Sequence, residues 1–121
     1  MRIFVIDDEP LMSTLVARIF RRANHEVVTT NEPLTAAEVA ANCTFDLIIT
    51  DFEMPGRTGP EVIAEIRTRG CHTPIALMSG NHDKLETVGA SLLASDQVQL
   101  LVKKPIGLAT FVADTEALLS K

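Results

Sequence analysis

The sequence predicts an α/β domain whose parallel sheet is covered by helices on both faces. Three observations carry the prediction. Short, continuously apolar runs recur along the chain, as in strands buried on both faces. Stretches with apolar residues at helical spacing separate them, and strand–helix alternation implies parallel crossovers. Finally, 121 residues suit one domain over 1–121 and leave no room for a second.

The run Ile3-Phe4-Val5-Ile6 predicts the first strand. Pro10 fits the first turn of a helix, and Leu11, Leu15 and Ile19, with Val16 and Phe20 beside them, predict its inward face. Asn24 suits a left-handed helix terminus. Residues 26–30 read as a second strand. Thr35-Ala36-Ala37-Glu38 reads as a capping box opening a short helix with Val39 inward. Leu47-Ile48-Ile49 predicts the third strand, with Asp51 just past its carboxyl end. A turn over 54–59 follows, and Thr58-Gly59-Pro60-Glu61 repeats the capping-box pattern ahead of Val62, Ile63 and Ile66. The fourth strand covers 74–78 and ends at Ser79-Gly80. A less regular helix covers 82–94, with Leu85, Val88 and Leu92 inward, and a fifth strand covers 98–102. The last helix places Leu108, Phe111, Val112, Thr115, Leu118 and Leu119 at helical spacing.

Composition removes several classes of function. Hydrophobic residues make up 46% of the chain and charged residues 22%, enough for a core and unlike a disordered segment. Five Phe with no Trp or Tyr make a poor base-stacking surface. A net charge of −5 gives no electrostatic reason to bind nucleic acid or an anionic membrane. The apolar start covers only residues 3–6 before two aspartates, and no apolar stretch approaches the ~20 residues of a membrane span. A soluble, cytoplasmic protein is the expectation. Cys43 and Cys71 lack metal-ligand spacing and are expected as two buried free thiols, a disulfide being the alternative.

In parallel sheets ligands bind outside the carboxyl ends of the strands. Those ends carry Asp7 and Asp8, Asp51, Ser79 and Lys104: three carboxylates, a hydroxyl and an ammonium facing one cleft. Taken singly, Asp8 before Pro10 reads as a helix cap, Ser79-Gly80 as a turn and Lys104 as a solvated lysine. Compatible groups at four strand ends outweigh those readings. Three packed carboxylates repel one another and call for a cation; the hard-oxygen set suits Mg²⁺. With the cation in place, a carboxylate can attack phosphorus and form an aspartyl phosphate. Phosphoryl transfer asks mainly for positioning and charge neutralisation, which Lys104 and the Ser79 hydroxyl supply.

These residues resemble the response-regulator receiver domains of two-component signalling, the CheY-like superfamily. Val5-Ile6-Asp7-Asp8-Glu9-Pro10 resembles the family's acidic opening, and Asp51-Phe52-Glu53-Met54-Pro55 with Gly59 its phosphoacceptor segment. Ser79 stands at its switch position, and Lys104-Pro105 is similar to its Lys-Pro pair. The likeness covers essentially the whole chain. It implies a flavodoxin-like, doubly wound five-stranded parallel sheet in order 2-1-3-4-5 with five surrounding helices. It implies phosphorylation of Asp51, with Lys104 and Ser79 assisting. Mg²⁺ would be held by Asp8, Asp51 and the backbone carbonyl of Glu53, with Asp7 acting through water. The Lys104-Pro105 bond is expected to be cis. The phosphoryl donor would be a sensor histidine kinase or a histidine phosphotransfer protein. Downstream partners, or a second copy in a homodimer, would read the face of helix 4, strand 5 and helix 5.

Three departures from the family pattern stand out. Leu101 occupies the position of the aromatic rotamer switch and has no ring to swing. Gln97-Val98 replaces a small Gly-Ala pair, the segment from Ser79 to Lys104 is long, and Gly89 sits inside helix 4, where it costs about 1 kcal/mol relative to Ala. A mobile helix 4 is the expectation. Glu53 adds a carboxylate beside Asp51 and is expected to pair with Lys104 or Arg57. The leading function is a stand-alone receiver; the alternative is an interaction module of the same fold that ignores phosphorylation. A phosphatase of haloacid-dehalogenase type would want an aspartate where Glu53 stands, and no capping domain is recognisable, so an enzyme is not expected.

Overall fold

The structure, a computed structural model, describes residues 1–42, 44–104 and 107–120; of Leu108 and Ala109 it describes the backbone alone. Five parallel strands, β1 (Arg2–Ile6), β2 (Glu26–Thr30), β3 (Leu47–Asp51), β4 (Ile75–Ser79) and β5 (Leu100–Lys103), form one sheet in the order β2-β1-β3-β4-β5. The helices between and after them are α1 (Pro10–Arg22), α2 (Pro33–Asn42), α3 (Gly59–Thr68) and α5 (Leu108–Leu119). A fourth, α4, runs in three consecutive pieces, His82–Lys84, a π-helical turn Leu85–Gly89, and Ala90–Ala94. The doubly wound fold and strand order expected from the sequence are those observed.

Alternation along the strands splits the core in two. Phe4, Ile6, Ile48, Ile75 and Leu77 pack with Ala36, Ala37 and Ala40 of α2, Val62, Ile63 and Ile66 of α3, and Leu85 of α4. Ile3, Val5, Leu47, Ile49, Ala76 and Met78 pack with Val16, Ala17 and Phe20 of α1 and Phe111 of α5. Every residue of β3 and β4 is buried, which explains their uninterrupted apolar character.

Several elements differ from the sequence reading in register. On α1, Leu11 is 87% exposed and Leu15 38%, while Ser13, Val16, Ala17 and Phe20 face the sheet. Small residues win that face because they let the helix approach the strands. Ser13 belongs there because its hydroxyl is satisfied, donating to Pro10 O and accepting from Asn31 Nδ2. The helix N-cap is Glu9, so Asp8 is not used for capping. Helix α2 starts at Pro33, whose ring pre-sets helical φ, ahead of the expected box at Thr35; Ala36, Ala37 and Ala40 are buried and Val39 is 38% exposed. Asn24 is left-handed as expected, at φ 69°. The box opening α3 is formed: Thr58 Oγ1 accepts from Glu61 N, and Thr58 N donates to Glu61 Oε1.

The region after β4 departs furthest. On α4 Leu85 and Gly89 are buried and Leu92 half-buried, whereas Val88, expected inward, is 42% exposed. A Cβ on Gly89 would lie 3.1 Å from Leu101 Cδ2, so the glycine is where α4 settles on β5. Strand β5 begins two residues later than expected because Gln99 substitutes a side chain for ladder backbone. Its Oε1 accepts from Ile75 N and from Arg67. On α5, Phe111 and Thr115 are buried, and Val112, Leu118 and Leu119 are half-buried. Cys71 is free and half-buried rather than buried. The inward placement of Leu108, the state of Cys43 and the geometry of the Lys104-Pro105 bond fall outside the described residues.

Candidate functional site: an acidic pocket at the carboxyl ends of the strands

The parallel ladders bring the ends of β1, β3, β4 and β5 level. Ile6 is in register with Thr50, Asp51 with Met78, and Ser79 with Lys103. Residues directly after or at those ends therefore converge. Asp7 leaves β1 fully buried, anchored by Asp7 N donating to Thr30 O (3.1 Å) and Asn31 Nδ2 donating to Asp7 O (2.7 Å). Asp51 is the last residue of β3 and is 2% exposed. Lys104 N donates to Ser79 O at 3.0 Å, which ties β5 to the end of β4.

One carboxylate oxygen from each of Asp7, Asp8 and Asp51 lies within 4.8 Å of the others. Lys104 Nζ is 2.9 Å from Asp51 Oδ1 and 3.9 Å from Asp7 Oδ2. The 2.9 Å contact is a charge-assisted hydrogen bond from the Lys104 ammonium to Asp51, whereas Asp7 Oδ2, buried and 3.9 Å from the same ammonium, has no hydrogen-bond partner among the described residues. A buried anionic oxygen left this way is destabilising unless a cation supplies the missing ligation. Burial pushes the Asp7 carboxyl from 3.8 up to about 6; the Glu9 N–H opposes and the Asp51 charge adds. Burial also raises Asp51, against the contact and charge of Lys104. For Lys104 burial acts downward, but Asp51, Asp7 and Glu9 together outweigh it and raise its pKa, keeping the ammonium charged. Three hard oxygens, with Asp7 Oδ2 left without a partner among the described residues, fit Mg²⁺.

Gly59 sets the back wall of the site. A Cβ there would lie 2.3 Å from the Asp51 carbonyl oxygen and 3.0 Å from Phe52 Cα, and Gly59 N donates to Phe52 O at 2.8 Å. Only hydrogen fits where α3 closes onto the Asp51 backbone.

The sequence-predicted groups Asp7, Asp8, Asp51, Ser79 and Lys104 are brought to one end of the sheet. Glu53 behaves differently from expectation. Its carboxylate reaches neither Lys104, which holds Asp51, nor Arg57, whose guanidinium pairs with Glu65. It accepts from Ser79 Oγ instead, at 3.0 and 3.1 Å to its two oxygens. Sequence reading also missed Asn81 and His82. Asn81 N donates to Ser79 Oγ (2.9 Å), and His82 Nε2 meets the Lys104 carbonyl (2.9 Å). No local pattern signals these contacts, which depend on how two loops are brought together.

A family model of the response regulator receiver domain matches residues 3–116. Transcriptional regulatory protein TcrA of Mycobacterium tuberculosis is 32% identical over 78 residues, 64% of this chain and 31% of its own length. Transcriptional activator protein PfeR of Pseudomonas aeruginosa is 28% identical over 120 residues, 99% of this chain and 38% of its own length. The chain thus spans about a third of the length of these curated relatives. Among solved structures, response regulator protein TrrA from Thermotoga maritima, in complex with Mg²⁺-BeF, superposes with a TM-score of 0.83 at 27% identity, covering 97% of both chains.

Proposed function

Because the chain belongs to the response regulator receiver domain family, we propose that it accepts a phosphoryl group on Asp51 from a phosphohistidine and signals by docking a partner or relaying the group. Receiver domains are signalling modules of two-component systems, phosphorylated by histidine kinases or phosphotransfer proteins. The observation that carries the reading for this chain is the buried Asp51 carboxylate, 2.9 Å from Lys104 Nζ and within 4.8 Å of two further carboxylates.

In this reading Asp8 and Asp51, with the Glu53 carbonyl, would hold Mg²⁺, and Asp7 would act through water. Bound there, the cation offsets the repulsion between these carboxylates and an incoming phosphoryl group. Asp51 is the nucleophile: a carboxylate oxygen forms the new O–P bond as the donor's P–N bond breaks, and the imidazole nitrogen keeps that electron pair and takes up a proton. Lys104, already at the oxygen, neutralises the product's charge. The Ser79 hydroxyl donates to a phosphoryl oxygen. Partners would read the face of α4, β5 and α5, where Val88 and Leu93 are 42% and 43% exposed.

A second reading, a module that docks regardless of phosphorylation, draws support from Leu101, which packs on Gly89 and offers no ring to swing. Intact mass after incubation with acetyl phosphate and Mg²⁺ separates the two. The first predicts one added phosphoryl group, abolished by EDTA and by Asp51→Asn. No gain, with acetyl phosphate and with histidine-kinase donors alike, overturns it in favour of the second.

A further inference from the structure

Ser79 is fully buried, and its hydroxyl has a single proton to give. That proton is directed at Glu53, whose two carboxylate oxygens sit 3.0 and 3.1 Å from Ser79 Oγ. One of the oxygen's two lone pairs is engaged as well, accepting Asn81 N–H at 2.9 Å. Asn81 is the N-cap of α4, and its Oδ1 accepts from Lys84 N at 3.1 Å. A second contact spans the same gap: Lys84 Nζ lies 5.4 Å from the centroid of the Phe52 ring. The segment following Asp51 is therefore held to the first turn of α4 by Glu53 through Ser79 and by Phe52 through Lys84.

We propose that Glu53 is a positioning residue for phosphoryl acceptance: it holds the Ser79 hydroxyl in the unphosphorylated protein, and it must release it before Ser79 can donate to a phosphoryl group on Asp51. The inference rests on the proposed chemistry at Asp51 and adds an opposing clasp to it. A hydroxyl cannot donate its one proton to Glu53 and to a phosphoryl oxygen at once. Binding of the phosphoryl group is weakened by the fraction of molecules in which the hydroxyl is free. Release also frees the Ser79 oxygen from its fixed place at Asn81, so the clasp reports on the start of α4. The contact is charge-assisted but its acceptor is exposed, which sets the handicap at about three- to tenfold.

The test is a double-mutant cycle on Glu53 and Ser79, with beryllofluoride and Mg²⁺ as the phosphoryl mimic and affinity read by titration. Glu53→Ala is expected to bind beryllofluoride about three- to tenfold tighter than wild type. Glu53→Gln, which keeps a weaker neutral acceptor, should fall between. In a Ser79→Ala background no proton is clasped, so the gain from Glu53→Ala should shrink by about threefold or more. An equal gain in both backgrounds means that Glu53 acts by its charge on the anion alone, and overturns the clasp while leaving phosphoryl acceptance intact. Failure of wild type to bind beryllofluoride removes phosphoryl acceptance, and the clasp with it. A second readout uses the metal-free protein with no mimic. Amide hydrogen exchange at Asn81 should quicken in Glu53→Ala and in Ser79→Ala, and wild-type protection in Glu53→Ala contradicts the clasp.

Discussion

Replacing Gly59 by alanine probes how the site is positioned. The added methyl would sit 2.3 Å from the Asp51 carbonyl oxygen, 3.0 Å from Phe52 Cα and 3.1 Å from Asp51 C. Real Cβ–O contacts need roughly 1 Å more, and every obstructing atom is backbone, so the start of α3 and the end of β3 must part. Overpacking of this kind costs about 1–3 kcal/mol. Loss of the 2.8 Å bond from Gly59 N to Phe52 O adds about 1 kcal/mol. Alanine's better helix propensity returns at most about 1 kcal/mol. The net expectation is a loss of about 1–4 kcal/mol, or a fall in Tm of roughly 4–15 °C for a domain of this size. The displacement also moves Asp51, and Mg²⁺ affinity should fall about tenfold or more, as for other supporting residues of metal sites. Urea unfolding and Mg²⁺ titration measure both. Gly56→Ala is the control. Gly56 has φ +78° with nothing within 4 Å of a Cβ, so its alanine costs about 1–2 kcal/mol in backbone strain and leaves Mg²⁺ affinity unchanged. Stability of Gly59→Ala within ~0.5 kcal/mol of wild type, together with unchanged Mg²⁺ affinity, would refute the close-approach argument.

Asp7→Asn should stabilise the metal-free protein at pH 8 by about 1–2 kcal/mol while weakening Mg²⁺ binding, because it removes a buried carboxylate that the fold disfavours when charged; urea midpoints in EDTA and in Mg²⁺ check both effects. The associated pH dependence has a definite sign. The native Asp7 carboxyl titrates near 6 against 3.8 when unfolded, so the native state binds the proton more tightly. Metal-free wild type should therefore lose stability as pH rises from about 4 to about 6, and Asp7→Asn should show a shallower slope there. Mg²⁺ affinity should weaken as pH falls through 6. Thr115 is fully buried on α5 and its hydroxyl has no partner among the described residues, so Thr115→Val is expected to raise stability by about 1 kcal/mol, read from the same denaturation curves.

The strands and the chemistry at their ends were legible because both are local. Ile3 to Ile6 and Leu47 to Ile49 are continuous apolar runs, and the topological rule for parallel sheets then assigns Asp7, Asp8, Asp51, Ser79 and Lys104 to one end. Helix faces were less legible where size and burial disagree. Leu11 and Leu15 are larger and more apolar than Ser13 and Ala17, yet the small pair lies inward because the helix packs closely on the strands. Val88 was misplaced because positions 88 and 89 both lie at helical spacing from Leu85, and it is the small Gly89 that turns inward against Leu101. The partner of Glu53 was not legible at all. Its sequence neighbourhood offers Arg57 as a counter-ion, but Arg57, just before α3, is engaged by Glu65 in the second turn of that helix, and the acceptor role toward Ser79 arises only from the β3–β4 register. Gly89 read as a helix weakness and proved to be the contact point with Leu101.

The account stands on Asp51 as the atom-level acceptor, and chemical trapping tests that most directly. After incubation with acetyl phosphate and Mg²⁺, borohydride reduces an acyl phosphate to the corresponding alcohol, so a phosphorylated aspartate becomes homoserine and is located by peptide mass mapping. The account predicts homoserine at position 51, dependent on Mg²⁺ and absent from Asp51→Asn. Reduction at another carboxylate, or none at all under conditions where phosphoryl donor is consumed, would contradict it.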